Sequence, residues 1–321
     1  MRHLRFRILL LLALVPAVAS ICHAQTPVDT SSSVLPDSTY GYVRPFFLEP
    51  AFTGNADGWR VAAVSAAAAS TLGATYIYLN QTWWDEGGVD FHFDGGGDMK
   101  YALNLDKAAH FYGGVIAADA FYGALRWAGM SDRTAAWTGA GFGSFVQFAI
   151  EIKDGFAPRW GFSPWDVGSG IAGSLFFVGK QYSPVLDAID IKLSYFKRSN
   201  RYNELKTHGA TWNDDYVNQT YWASIKVNRL LPATLEPWWP DWLAIAIGVG
   251  IDDRIVGFDI DKPDRTGGAH EIYIALDVDL PRILPSSSPV WEAVKYYLNY
   301  IKFPAPAVRI SPGAVWFGLY F

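Results

Sequence analysis

The sequence predicts an α+β protein: a bundle of about four apolar helices rich in small residues, followed by a mainly antiparallel β region of about six strands. Three observations carry this. Four helix-length segments in the first half are crowded with Gly, Ala and Ser and nearly free of charge. After Tyr182 the apolar pattern switches to strict alternation, the period of strands. The composition is 50% hydrophobic, 16% aromatic and only 18% charged. Water-soluble domains carry about 25% charge, and aromatic rings favour a bilayer interface.

The chain of 321 residues opens MRHLRFRILLLLALVPAVASICHAQ. Arg2, Arg5 and Arg7 form a basic start, residues 8–18 an apolar run too short to span a bilayer, and small residues follow. That is the pattern of a secretory signal over residues 1–24. Cys22, the single cysteine, lies inside it. Cleavage after Ala24 therefore removes every thiol, and bulky Ile21 disfavours lipidation at Cys22. Residues 25–57 are rich in Ser, Thr, Pro and Asp without periodicity and read as a flexible linker.

The helical bundle is expected over residues 58–182. Its first segment, WRVAAVSAAAASTLGATYIYL, is Ala-rich and about as long as a bilayer span. An acidic, glycine-rich loop follows. It contains DGGGD at 94–98, which lacks the ligand spacing of a cation loop and reads as a turn. Helices are expected over 108–127, 134–150 and 164–178, where Gly113, Gly114, Gly139, Gly141, Gly143, Gly168, Gly170 and Gly173 permit close backbone approach. Ser163 before Pro164 is a helix cap followed by a first-turn proline. A mean hydropathy of only +0.08 and weakly asymmetric loop charges favour a compact membrane-associated bundle over a polytopic transporter.

Residues 183–321 form the expected β-rich region. IKLSYF, YWASIKV, WLAIAIGV and HEIYIALDVD alternate with period two. In the last, Ile272, Ile274, Leu276 and Val278 share one face, opposite Glu271, Tyr273, Asp277 and Asp279. The expectation is a strand that buries its apolar face. Residues 290–301 suit a short amphipathic helix, and two strands end the chain. The final VWFGLYF resembles the closing strand of outer-membrane barrels, although six strands fall short of the usual eight.

A net charge of −5 without a basic stripe excludes nucleic acid as a partner. The chain has no P-loop, GxGxxG, GxSxG, HExxH or EF-hand loop, so no nucleotide or cofactor is predicted. The residues that carry chemistry lie at the ends of the apolar helices: Asp106, Lys107 and His110; Glu151, Asp154 and Arg159; Ser163 and Asp166. Asp106 and His110, four apart, share a helix face, where a carboxylate can orient an imidazole as a base. The plainer alternative is an acid that complements the helix dipole. Glu151, at a helix carboxyl end, opposes that dipole and needs a partner, for which Lys107 or Arg159 is suited. Together Asp106, His110, Glu151, Asp154 and Asp166 could gather oxygen and imidazole ligands suited to a divalent metal, Asp106, His110, Glu151 and Asp166 above all, although no spacing here is a metal motif. Ser163 has no adjacent histidine and is not read as a nucleophile; His92, His208 and His270 look solitary.

The order DKxxHF, then ExxDG, then WGFSxxD before a glycine-rich helix resembles the YfiM-like family, domain of unknown function 2279. The matching residues are Asp106, Lys107, His110 and Phe111; Glu151, Asp154 and Gly155; Trp160 to Ser163 and Asp166. The stretches NQTYW, LDVDL and IKFPAP also look like longer members. The resemblance implies an uncharacterised periplasmic or outer-membrane lipoprotein, from which the poor lipidation motif here departs. A distant likeness to VanZ-like membrane proteins implies a polar cluster shared between helices. The leading expectation is an exported, membrane-associated envelope protein of a Gram-negative bacterium, in the outer membrane or periplasm. It would have membrane lipid or an envelope protein as partner and a structural or assembly role without catalysis. Second stands a hydrolase or transferase acting on an envelope lipid or glycan. There His110 would be the base, Asp106 would orient it, and Glu151 or Asp166 would be acid or metal ligand. Third stands a small barrel or channel.

Overall fold

The computed structural model describes residues 56–200, 211–253, 268–285 and 288–321. The expected signal with Cys22, nearly all of the linker, and His208 lie outside the described residues. Four long helices follow one another: α1 (Gly58–Thr82), α2 (Leu105–Trp127), α3 (Asp132–Asp154) and α4 (Pro164–Tyr182). The last three extend past the expected apolar stretches, which brings Asp106, Lys107, Glu151 and Asp154 onto helices. Ser163 caps α4 as expected, its Oγ accepting from the Asp166 amide at 3.2 Å.

Helices α2, α3 and α4 pack against one another, and small residues set how close they come. A methyl group on Gly114 would overlap the Gly170 carbonyl of α4, and one on Gly173 would overlap the Phe111 carbonyl of α2. Phe121, Tyr122, Leu125, Met130 and Phe177 fill the space beyond these crossings. Helix α1 stands aside, with Val61, Val64, Ser65 and Leu79 as its buried residues. Among the described residues it is the one helix long and apolar enough to cross a membrane.

The second half is a six-stranded antiparallel meander in the order of the chain. Its strands are β1 (Ile189–Tyr195), β2 (Gln219–Ile225), β3 (Leu243–Ile251), β4 (His270–Val278), β5 (Ala305–Ser311) and β6 (Val315–Tyr320), with helix α5 (Pro289–Leu298) before β5. The α+β class and the six strands agree with the pattern of the sequence. The sheet is rolled. The Leu193 amide donates to Tyr300 O at 2.9 Å, and the Lys302 amide donates to Leu193 O at 2.9 Å. The outer edge of β1 is thereby bridged to the run that enters β5. Across the roll, Lys192 Nζ of β1 meets Asp277 Oδ2 of β4 at 2.8 Å, and the Thr220 and Tyr320 hydroxyls are 2.9 Å apart.

One expectation is reversed. The polar face of β4 is the buried one: Glu271, Tyr273 and Asp277 are enclosed on the concave side, while Ile274 and Leu276 point outward and are exposed. The concave side is stable because its charges are paired. Glu271 meets Arg198 at 2.6 Å and Arg309 at 2.5 Å, and Asp277 has Lys192. Buried charge is tolerated only under such pairing.

Part of the convex face carries the helices. Tyr216, Val217, Tyr221 and Ile251 pack with Tyr101, Ala102 and Leu105, at the entrance to α2. Tyr112 OH of α2 donates to Tyr300 O at 3.0 Å, and Tyr300 OH donates to the buried Asp119 at 2.7 Å. The rolled sheet thus fixes the amino end of α2, where the candidate site lies.

The crossings yield a paired prediction for thermal or urea unfolding. Gly173→Ala forces α2 and α4 apart and should cost about 1–3 kcal/mol or more. Gly168→Ala, on the same helix with open space around it, should be neutral or stabilising by about 0.5–1 kcal/mol.

Candidate functional site

The site begins in the acidic turn before α2. Asp94 Oδ2 accepts from the amides of Gly96 at 2.9 Å and Asp98 at 3.1 Å, which closes the DGGGD turn. The chain then reverses through three consecutive left-handed residues, Ala102 (φ 46°), Leu103 (φ 51°) and Asn104 (φ 66°). Residues with a Cβ pay roughly 1–2 kcal/mol each for this conformation, asparagine less. The surroundings hold them there: Ala102 and Leu105 are buried, and His270 Nε2 donates to Leu103 O at 2.7 Å. Local sequence would never choose this turn; the sheet imposes it.

The reversal lays Asp98 against the first turn of α2, where Lys107 gathers carboxylates from three elements. Its ammonium bonds Asp98, meets Asp106 Oδ2 at 3.0 Å and meets Asp166 Oδ1 of α4 at 2.9 Å. Ser163 ties the same elements by donating its Oγ hydrogen to Asp98 Oδ2 at 2.6 Å. These contacts join the turn, α2 and α4.

One turn further along α2, His110 faces a different strip. Its Nδ1 lies 2.8 Å from Gln147 Oε1 on α3. An amide oxygen only accepts, so Nδ1 carries the proton, and in the neutral ring Nε2 holds a lone pair. Nε2 is 3.5 Å from Glu151 Oε1 and 4.0 Å from Asp166 Oδ2. The other Glu151 oxygen accepts from the Ser163 amide at 3.1 Å. Lys107 and His110 thus belong to two strips that share Asp166.

Several sequence expectations need correction. Asp106 turns to Lys107, and Gln147 takes the orienting place beside His110. Glu151 is paired with neither Lys107 nor Arg159; Arg159 reaches Glu86 instead. Asp154 lines the same cavity and accepts from Trp84 Nε1 at 2.5 Å. Asp98 and Gln147 were not among the expected residues. Gln147, a buried amide on an apolar helix one turn before Glu151, carried a readable signal. Asp98 carried none, because only the left-handed reversal brings it back to Lys107.

Asp98, Asp106, His110, Glu151, Asp154, Arg159 and Asp166 line a cavity of about 110 Å³ walled by aromatic rings including Trp160 and Tyr101. That is room for several waters. Burial dominates its electrostatics. Desolvation pushes Glu151 up to about 10, with the Asp154 and Asp166 charges adding to it. Burial raises Asp154 to about 8 against the Trp84 hydrogen bond. Burial and the neighbouring Asp166 hold Asp106 well above the usual carboxylate range despite Lys107. Burial raises Asp166, with the Asp98 charge adding to it. Burial works on Asp98 too, yet there Lys107 prevails and lowers it. The Lys107 ammonium is itself stabilised, since Asp106, Asp166 and Asp98 outweigh its desolvation. The pocket is short of positive charge.

Two sets of side chains could hold a metal ion: His110, Glu151 and Asp166, and Asp98, Asp106 and Asp166. Within each, the ligand atoms lie within 4.8 Å of one another. Lys107 already fills the second set. In the first, separations of 3.5 and 4.0 Å are long for hydrogen bonds but near the ~3.3 Å edge between ligands of a tetrahedral ion with ~2.0–2.1 Å bonds. Asp106 Oδ1 is buried without a hydrogen-bond partner, a further sign that the cavity is electrostatically unfinished. Among proteins of known family, curated proteins and solved structures, nothing matches this chain.

The raised carboxylates predict the direction of a pH effect. A buried acid that keeps its proton when the unfolded chain loses it stabilises the fold less as pH rises between the two pKa values. For Asp154 that window runs from its ordinary 3.8 to about 8. The melting temperature of metal-free protein should fall as pH rises through this window. Asp154→Asn, which retains an acceptor for Trp84, should flatten the fall in pH-resolved melting curves.

Proposed function

We propose that the protein is an exported, membrane-associated envelope hydrolase or transferase that acts on an ester or phosphoester of an envelope lipid or glycan. A divalent cation held by His110, Glu151 and Asp166 would assist it. The observation that supports this reading is the His110 Nε2 lone pair, fixed by Gln147 and facing two buried carboxylates across a cavity that water can enter. When bound, such a cation polarises a substrate oxygen and makes its water acidic near neutral pH.

The chain's own residues have separable tasks. Gln147 fixes the tautomer and rotation of His110, as partners of metal-binding histidines do. The Ser163 amide holds one Glu151 oxygen and leaves the other facing the histidine. Lys107 keeps the neighbouring carboxylates in place and offsets their charge. A second reading, a structural or assembly protein without turnover, is favoured by the three ion pairs of Lys107, which bind the elements together whatever enters the cavity.

Calorimetric titration of the purified protein with Zn²⁺, Mn²⁺ and Mg²⁺ tests the centre. His110→Ala should abolish tight binding and Gln147→Leu should weaken it about 10–100-fold. Lys107→Met should lower stability by about 3–5 kcal/mol while the protein that remains folded still binds metal. Equal binding by wild type and His110→Ala would remove the centre. Binding without product release from envelope lipid or glycan extracts would leave the structural reading.

A further inference from the structure

The reversed sheet has a second consequence. Along β3, Ala244, Ala246, Gly248 and Gly250 turn inward and are buried, while Leu243, Ile245, Ile247 and Val249 turn outward. Along β4 the inward residues are Glu271, Tyr273, Ala275 and Asp277, and the outward ones are Ile272, Ile274, Leu276 and Val278. The register continues the division across the sheet: Ile247 lies beside Ile274, Ile274 beside Val308, and Val308 beside Trp316. Helix α2 covers the Tyr221–Ile251 end of this face. The rest is bare, with Ile247 49%, Ile274 45%, Leu276 43% and Trp316 66% exposed.

We infer that the open convex face of β3–β6 is a lipid-contact surface, seated against the acyl chains of a phospholipid bilayer. Charge is what selects the occupant. The inward faces hold Asp190, Lys192, Glu271, Asp277 and Arg309, whereas the outward positions of β3 and β4 carry one ionisable group, His270, at the very end of its strand. A surface almost without charge, whose central positions are aliphatic and whose indole at Trp316 suits a bilayer interface, complements hydrocarbon. Charges in and aliphatic residues out is also the order of strands that face lipid, opposite to that of sheets that face water. Nine-residue strands β3 and β4 extend about 30 Å, the scale of the 9–11 residues a lipid-facing strand needs.

A protein partner fits less well. One standard interface covers a single contiguous patch of about 800 Å² per partner. Here exposed large apolar residues recur on α1 (Ile77), α3 (Trp137, Phe148) and α4 (Leu175) as well as on the sheet. Helices α3 and α4 pack on α2 and on each other, while α2 is the helix that meets β1 and β3. No single flat partner covers all of these, whereas a bilayer surrounds what enters it. The inference rests on the membrane association proposed above but uses none of the residues of the His110 centre, so the lipid face and the metal centre can fail separately.

The test places a polarity-sensitive fluorophore on the full chain. Ile274→Cys, in a Cys22→Ser background, is labelled and reconstituted into phosphatidylcholine vesicles, with Asp85→Cys in an exposed loop as the aqueous reference. The expected result is a blue-shifted label at 274, quenched by brominated acyl chains and shielded from iodide, with the reverse at 85. Ile274→Lys, at a site too exposed to disturb the core, should lower the vesicle-bound fraction about tenfold in flotation, with an unchanged melting curve in detergent. Iodide quenching at 274 without quenching by brominated lipid would overturn the inference. So would a label protected from both quenchers in a detergent-free dimer, which would give the face to a second copy.

Discussion

Everything at the candidate site rests on one ammonium group. Lys107 is nearly enclosed and holds Asp98, Asp106 and Asp166 at once, so it must be present for three carboxylates to occupy so small a space. Removing one partner of a buried ion pair leaves the rest uncompensated. The convergence also needs the helices to touch: Gly114, Gly170 and Gly173 let α2 and α4 approach until Asp166 reaches a lysine on the neighbouring helix. Electrostatics chooses the arrangement, and the absence of side chains elsewhere makes it reachable.

The acids of the pocket outnumber its cations, Lys107 and Arg159, and this is the source of its chemical interest. Lys107 reaches the neighbouring strip of His110, Glu151 and Asp166 only through Asp166, while His110 and Glu151 have Gln147 and the Ser163 amide as hydrogen-bonding neighbours. The interior of the sheet is braced by ion pairs of its own, Lys192 with Asp277 and Arg198 with Glu271.

The sequence was legible where local chemistry decides and opaque where tertiary contacts do. Ser163–Pro164 announced the start of α4, and alternation announced β3 and β4, because caps and periodicities are local. The grouping of Asp106, His110, Glu151 and Asp166 at one end of the bundle was also readable, since each stands at the charged end of an apolar run. Which face of β4 is buried was not readable. Alternation separates two faces without saying which one the rest of the molecule covers, and here ion pairs across the roll decided. Asp98 was hidden for a related reason. Its contact with Lys107 depends on left-handed backbone at Ala102 and Leu103, which no propensity favours.

That left-handed run also sets a rule of spacing. The stretch from Asp98 to Lys107 is anchored at both ends, by the Asp94 turn and by the helix, and pinned between them by His270 on the Leu103 carbonyl. It has no slack. One residue more or fewer would turn the α2 side chains by about 100° relative to the turn, and Lys107 would leave its carboxylates even though every residue type remained. The identity of these intervening residues is therefore freer than their number. The segment works as a measured spacer, whose length is the part of the message that a motif written as residue types does not record.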